Sequence, residues 1–579
     1  MVKIAATLAA MVLALAAPPG WTTPAAGQWH GDLHPAAGVA LRLSLRLDQT
    51  ASGAWNGALD SLDQGASGLQ IADVAVSDDA LSFTVPTVHG RFDGRWDAGA
   101  RAWAGDWSQG GRKMPLSFVA GPPVARPKVE GLDGAWEGTL NTSVPLRLAL
   151  HFDTGPYGTT GRLDSRDQAA YGLPLAEIAR QGERVAFGVP TVGGTFEGTL
   201  RADGTIAGTW SQGGAGLPLT FSHRPAGASE ARLSRPQTPR PPFPYRVEEV
   251  AFDDAAGHDR LAGTLTLPPG KGPFPAVVLI AGSGAQDRNE TIFGHRVFLV
   301  LADHLTRQGV AVLRYDKRGV GSSTGDYANA TTADFADDAQ AAIGFLAARR
   351  DIDRRRIGLI GHSEGGLIAP MVASRDRKVA FVVLMAGSAV NGADLLEAQQ
   401  RRINEVMGLG GERLAEASAE EARMIDIVRQ ASSPTAAADA LKAEADVAAE
   451  RTGEPRELAE AQAAQLDSPW FRYLLAYDPV PALERLRIPV LALIGSKDIQ
   501  VPPDQNLPPL RAALAHDRRA TVEEMAGLNH LFQPAITGAP AEYAQIGTTI
   551  APVALDTIMT WVLRTTGLSQ GSSAGQRGD

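Results

Sequence analysis

One passage of this chain occurs twice, so whatever fold the first copy adopts must also suit the second. "GALDSLDQGASGLQIADVAV" from Gly57 is matched by "GRLDSRDQAAYGLPLAEIAR" from Gly161, which sets Ser61 and Ser165 an offset of 104 apart. At nearly the same offset "FTVPTVHGRFDGRW" (83–96) returns as "FGVPTVGGTFEGTL" (187–200), and "GDWSQGGRKMPLSF" (105–118) as "GTWSQGGAGLPLTF" (208–221). Trp29 and Trp136 open the copies in "GQWHGDL" and "GAWEGTL". Self-similarity at a fixed spacing indicates tandem modules of about 95 residues, placed at 27–122 and 131–222. Runs such as "LRLSLRL" (41–47) and "LRLALHF" (146–152) alternate apolar and polar residues, with glycine turns between runs. That period of two predicts a small antiparallel barrel or sandwich for each copy. Trp107 and Trp210 are expected in its core rather than on a ligand, because a small sheet depends on aromatic burial.

The flanking segments read differently. Residues 1–26 carry Lys3 ahead of an apolar run from Ile4 to Ala17. This is the pattern of a signal peptide, too short to span a bilayer, with cleavage expected between Ala16 and Ala26 and a periplasmic or secreted product. No later stretch reaches the roughly 20 apolar residues of a membrane span, so no stable membrane insertion is expected after leader removal. Residues 223–246, rich in proline and arginine, predict an extended connector and a domain boundary, and 567–579 a disordered tail. Cysteine is absent, which excludes disulfides, thiolate metal sites and a cysteine nucleophile. A net charge of −10 without basic patches argues against nucleic-acid binding. The eleven histidines contain no His-Glu-x-x-His pattern, His30 and His34 are expected at the surface flanking an early strand, and no catalytic metal or cofactor is predicted.

From residue 247 onward, near-continuous apolar runs alternate with helical patterns: "AVVLIAG" (276–282), "VAVLRYD" (310–316), "IGLIGH" (357–362), "FVVLMAG" (381–387) and "VLALIG" (490–495). This alternation predicts a parallel sheet covered on both faces, with functional groups at the carboxyl ends of its strands. Three serines lie in Gly-x-Ser-x-Gly: Ser323, Ser363 and Ser573. Ser363 alone directly follows an apolar strand and precedes a helical pattern, as a nucleophile elbow requires. A serine needs a base and a group that orients the base. Asp498 and His530 follow later strands in the chain order Ser, Asp, His; Asp394 is the competing acid and His362 the competing base. Backbone donors for an oxyanion are expected at Glu364 and, in "AGSGAQDRN", at Ser283. That turn lacks the Gly-Lys-Ser/Thr of a phosphate loop, so nucleotide binding is not predicted.

With "AGSGAQDRNE", "LRYDKRGVGSSTG", "GHSEGG", "GSKDIQVPP" and "GLNHLFQ" in hand, residues 247–566 resemble a bacterial α/β-hydrolase of the promiscuous carboxylesterase group, related to the serine aminopeptidase-like and dienelactone hydrolase-like branches. The resemblance implies an α/β-hydrolase fold, a catalytic triad of Ser363, Asp498 and His530, oxyanion donors at Ser283 and Glu364, and a bracing role for Asp316 and Arg318. Ala285 stands where the group suggests proline. The Ala- and Glu-rich insertion at about 393–480 predicts a helical cap, in which Trp470, Phe471 and Tyr473 either line an acyl pocket or anchor the cap. The expected activity is cofactor-independent hydrolysis of small or medium carboxylic esters. The alternatives are a peptidase or thioesterase with the same triad, or a glycan-binding protein with a vestigial hydrolase domain.

Overall fold

The structure, a computed structural model, describes residues 25–568 except 37–38, 51–52, 89, 110–111, 142–145, 166–169, 213–214, 225–234, 255–257, 407 and 453–455. The expected signal peptide, except its last two residues, and most of the expected tail, with Ser573, lie outside the described residues.

Each repeat folds into one nine-stranded antiparallel sheet, and both sheets have the same strand order. In the first, Ala66–Gln70 and Ala72–Val76 sit at opposite ends of that order, yet Ile71 alone joins them. The second repeats this with Ala170–Pro174, Leu175 and Ala176–Gln181. A one-residue link requires the two edges to meet, so each sheet curls into a nearly closed barrel and leaves little exposed edge. Trp107 and Trp210 are 2% and 4% exposed. They fill the barrel interiors, where neither can stack on a ligand. The repeated "WSQ" explains how each indole is held: Trp107 Nε1 donates to Gln109 Oε1 at 3.0 Å, and Gln109 Nε2 to the Val88 carbonyl at 2.9 Å. Trp210, Gln212 and Val192 repeat the arrangement at 3.1 and 2.8 Å. A Cβ on Gly90 or Gly194 would fall 2.2 or 2.1 Å from the matching indole, which accounts for glycine at both places. His30 and His34 lie within the strand Gly27–Ala36 rather than flanking it, because its ladder to Val39–Gln49 runs through the repeat's opening residues; His30 is half-buried and His34 exposed. The buried Arg42–Asp63 ion pair (2.8 Å) also takes Arg126, while Arg42 donates to the carbonyls of Val124 and Tyr157, so charge-assisted bonds fasten the modules together.

The carboxyl-terminal half is built on an eight-stranded sheet. Its order is Arg246–Asp253, Arg260–Leu267, Ala311–Tyr315, Phe274–Ile280, Ile352–His362, Val379–Met385, Val490–Gly495 and Ala520–Met525. Arg260–Leu267 pairs antiparallel with both of its neighbours, and the remaining pairs are parallel. Successive side chains of a strand point to opposite faces, so Val278 and Leu359 enter one helix-covered core while Val277 and Ile360 enter the other. Between Val379–Met385 and Val490–Gly495, five helices from Gly392 to Ala476 form the expected cap.

The connector is not free along its whole length. Arg235 donates to the carbonyls of Ile546, Ala544 and Phe293 at 2.7, 2.9 and 3.3 Å. Gln237 bonds the backbone of Thr549 and Ile550, and Tyr245 donates to Asp303 at 2.7 Å. Composition indicates an extended segment there; these side chains nonetheless bond groups on the carboxyl-terminal half.

Candidate active site

The strand Ile352–His362 runs into Ser363, whose φ of 54° places a non-glycine residue in the left-handed region, and the helix Gly365–Ala373 begins two residues on. Such backbone persists only where its surroundings over-determine it. Here the Ser363 N–H is held by the Met385 carbonyl at 2.8 Å, and the flanking glycines allow strand and helix to touch. A Cβ on Gly361 would lie 1.9 Å from the Gly365 carbonyl oxygen, and one on Gly365 would lie 2.0 Å from that of Ile280. Ser323 is engaged otherwise, since its Oγ donates to the Asp316 carbonyl at 2.7 Å and accepts the Ala262 N–H at 2.9 Å, tying two loops together.

Asp498 follows the strand Val490–Gly495, and His530 follows Ala520–Met525. Their contact, His530 Nδ1 to Asp498 Oδ2, measures 2.9 Å, with side chains 5% and 0% exposed. The other carboxylate oxygen accepts the N–H groups of Gln500 and Val501 at 2.9 and 2.8 Å, which fixes the carboxylate's rotation. Ser363 and His530 line one cavity of about 210 Å³. Among the described residues neither the Ser363 hydroxyl nor His530 Nε2 has a hydrogen-bond partner, and hydroxyl–imidazole contacts are often loose before substrate arrives. Asp394 instead accepts from Asn391 at the start of the cap. His362 turns beneath the elbow to Glu290 and the His530 carbonyl, so it is not placed as the base.

The backbone N–H groups of Ser283 and Glu364 have no acceptor among the described residues. Both residues line a second cavity of about 160 Å³ that also reaches Ser363. The Glu364 side chain is buried and crowded with donors: Lys317 Nζ at 2.9 Å, Thr332 Oγ1 at 2.8 Å and Trp470 Nε1 at 2.6 Å. Trp470 thus latches the cap to the residue after Ser363. Of the three aromatics expected here, Trp470 alone lines the cavity, together with Leu367, Leu395, Leu396, Leu474 and Val501. Phe471 packs into the cap's own core and Tyr473 stacks on Tyr477. The reason is helical geometry: at about 100° per residue along Pro469–Ala476, positions 470 and 474 lie about 40° apart, and 471 and 473 fall about 80° to either side of them. Leu395 and Leu396 went unread in the sequence, although the amphipathic "ADLLEAQQ" carries them. Asp316 accepts the Arg288 side chain and the Ser322 N–H, and Arg318 pairs with Asp338 at 2.6 Å, so both brace loops as the resemblance implied.

Residues 277–546 match the Alpha/beta hydrolase family. A curated relative, esterase EstD of Thermotoga maritima, is 29% identical over 309 residues, covering 52% of this chain and 66% of the relative. The match therefore spans just under two thirds of that relative's length. Among solved structures, the Pyrococcus furiosus esterase Pf2001 is 13% identical over 55% of this chain and 93% of that one, with a TM-score of 0.35. A Mycobacterium smegmatis proline iminopeptidase is 16% identical over 55% and 99%, with a TM-score of 0.36.

Proposed function

We propose, on the premise that the carboxyl-terminal half of this chain is an α/β-hydrolase domain, that it is a serine carboxylesterase acting through Ser363, His530 and Asp498. One observation carries the reading: an Asp498-oriented imidazole and an unpartnered serine hydroxyl at a strained elbow open into the same cavity. His530 Nε2 takes the Ser363 proton, Oγ attacks the ester carbonyl, and the oxyanion accepts the Ser283 and Glu364 N–H groups. Collapse expels the alcohol, which receives its proton from His530. Water then repeats the sequence on the acyl-enzyme and releases the acid.

The two cavities divide the substrate at its carbonyl. His530 lines the cavity of about 210 Å³, so the departing alcohol belongs there. The leucine-walled cavity of about 160 Å³ holds the acyl chain, and its size, below the usual range for drug-sized ligands, favours short chains. With the leader expected at its amino terminus, the enzyme acts in the periplasm or outside the cell.

Turnover of p-nitrophenyl acyl esters, acyl thioesters and aminoacyl nitroanilides by the full chain tests the activity, and a fluorophosphonate probe tests the nucleophile. Ester turnover and labelling that both vanish in Ser363→Ala, with folding unchanged, are expected. Labelling elsewhere with turnover retained, or preference for the anilide or the thioester, would overturn the reading.

A further inference from the structure

The floor of the site holds a second carboxylate and a second imidazole that the reaction above leaves unused. Glu290 and His362 are 0% and 1% exposed. His362 Nδ1 lies 2.9 Å from Glu290 Oε1, and His362 Nε2 lies 3.0 Å from the His530 carbonyl oxygen. The same Glu290 oxygen accepts the Gly282 N–H at 2.7 Å, while Oε2 is buried without a partner among the described residues. The rings of His362 and His530 are 4.9 Å apart.

A carbonyl oxygen only accepts, so His362 Nε2 carries a hydrogen. One more proton lies between Nδ1 and Oε1, because two lone pairs would otherwise face each other across 2.9 Å. On the ring or on the carboxylate, that proton leaves the pair without net charge. Removing it would strand a carboxylate in a fully buried position, at a cost of several kcal/mol. Burial pushes the His362 imidazolium down, but the Glu290 charge and hydrogen bond outweigh burial and hold the ring above its ordinary value. The other ionisable groups acting on this pair are His530 and Asp498.

Each end of the pair touches backbone next to a reacting group. Gly282 precedes Ser283, and a Cβ on Gly282 would approach Ser363 Cβ to 3.2 Å. The carbonyl at the other end belongs to the base itself. Resting on the esterase reading, we propose that Glu290 and His362 are positioning residues that set the spacing between oxyanion turn and catalytic imidazole, and that the proton they share keeps the site floor neutral.

The test is the pH dependence of kcat/KM for a p-nitrophenyl butyrate substrate, with kcat, KM and thermal midpoint, on full-length wild type, His362→Gln, Glu290→Gln and the double variant. In His362→Gln the Glu290 carboxylate keeps the Gly282 N–H and gains the glutamine amide as a donor in place of the bare imidazole nitrogen, which holds it as a buried negative charge beside His530. Its acid limb should move to higher pH by about half a unit or more, with kcat down about tenfold and KM within about threefold. The double variant removes that charge and should return the limb to its wild-type position while kcat stays low; Glu290→Gln should lower kcat with the limb unmoved. An acid limb in His362→Gln that coincides with wild type, or a loss confined to the thermal midpoint or KM, would overturn the proposal. If His362→Gln does not fold, the isosteric Glu290→Gln decides: wild-type kcat there overturns it. Failure of wild type to turn over the ester or to label Ser363 would instead count against the esterase reading.

Discussion

Replacing Asp498 by asparagine separates what its two oxygens do. Oδ1 faces two N–H donors, from Gln500 and Val501, and Oδ2 faces His530 Nδ1. An amide at this position must turn its carbonyl oxygen to the two backbone donors, since its NH₂ group would meet them donor to donor. That choice aims Nδ2 at His530 Nδ1, which must then be the unprotonated nitrogen. The imidazole hydrogen moves to Nε2, the atom that has to receive the Ser363 proton. A wrong tautomer of this kind costs about 10⁴-fold in kcat, or ~5 kcal/mol. The fold keeps both backbone acceptors, so stability should fall by only about 1–2 kcal/mol for the lost charge assistance. Asp498→Ala strips both acceptors, leaving N–H groups unsatisfied at about 1–3 kcal/mol each, so activity and stability should fall together. Steady-state hydrolysis of p-nitrophenyl butyrate with thermal denaturation of the same preparations reads both quantities. Asp498→Asn retaining more than about a tenth of wild-type kcat with a native melt would refute the tautomer argument.

Trp470→Ala removes a wall of the cavity of about 160 Å³ and the latch to Glu364. In an acyl-chain series, kcat/KM for eight-carbon relative to four-carbon esters should rise about tenfold, the order expected of one or two accommodated methylenes. Trp107→Ala should destabilise the first module by about 3–5 kcal/mol as a buried aromatic truncation, seen as an earlier calorimetric transition, with kcat unchanged because the ring belongs to a core that shares no residue with the cores beneath Ser363. Burial pushes buried His295 down to about 4. The unfolded chain takes up that proton near 6.5 and the folded chain only near 4, so stability should fall by about 3 kcal/mol as pH drops through that window; comparing urea midpoints at pH 7 and 4.5 with those of His295→Gln checks it.

The elbow was legible because its constraints are local. Gly361 and Gly365 each sit where a Cβ would overlap backbone, and no partner choice elsewhere in the chain changes that. Asp498 and His530 could be singled out because each stands just beyond a strand, Val490–Gly495 and Ala520–Met525, and strand ends are where this architecture gathers its chemistry. The module cores were legible through the alternation and the repeated tryptophans, but their closure was not: a single residue between two strands forces a barrel only once strand order is known. The sequence left pocket lining and cap anchoring open for Trp470, Phe471 and Tyr473, because aromatic bulk does not report direction; in the structure Trp470 borders the cavity with Leu395 and Leu396, and Phe471 packs in the cap core. Glu290 and His362 meet across 72 positions without any local signature of the pairing.

The grip of Arg235 on the carbonyls of Phe293, Ala544 and Ile546 bears on where the chain can be divided. Phe293 lines the cavity of about 210 Å³ that Ser363 and His530 share, so a guanidinium lying upstream of every strand of the eight-stranded sheet acts as an outrigger for it. An excised catalytic fragment beginning at residue 247 would discard that support, whereas one beginning ahead of Arg235 would carry it along. Composition alone would put the scissors on the wrong side.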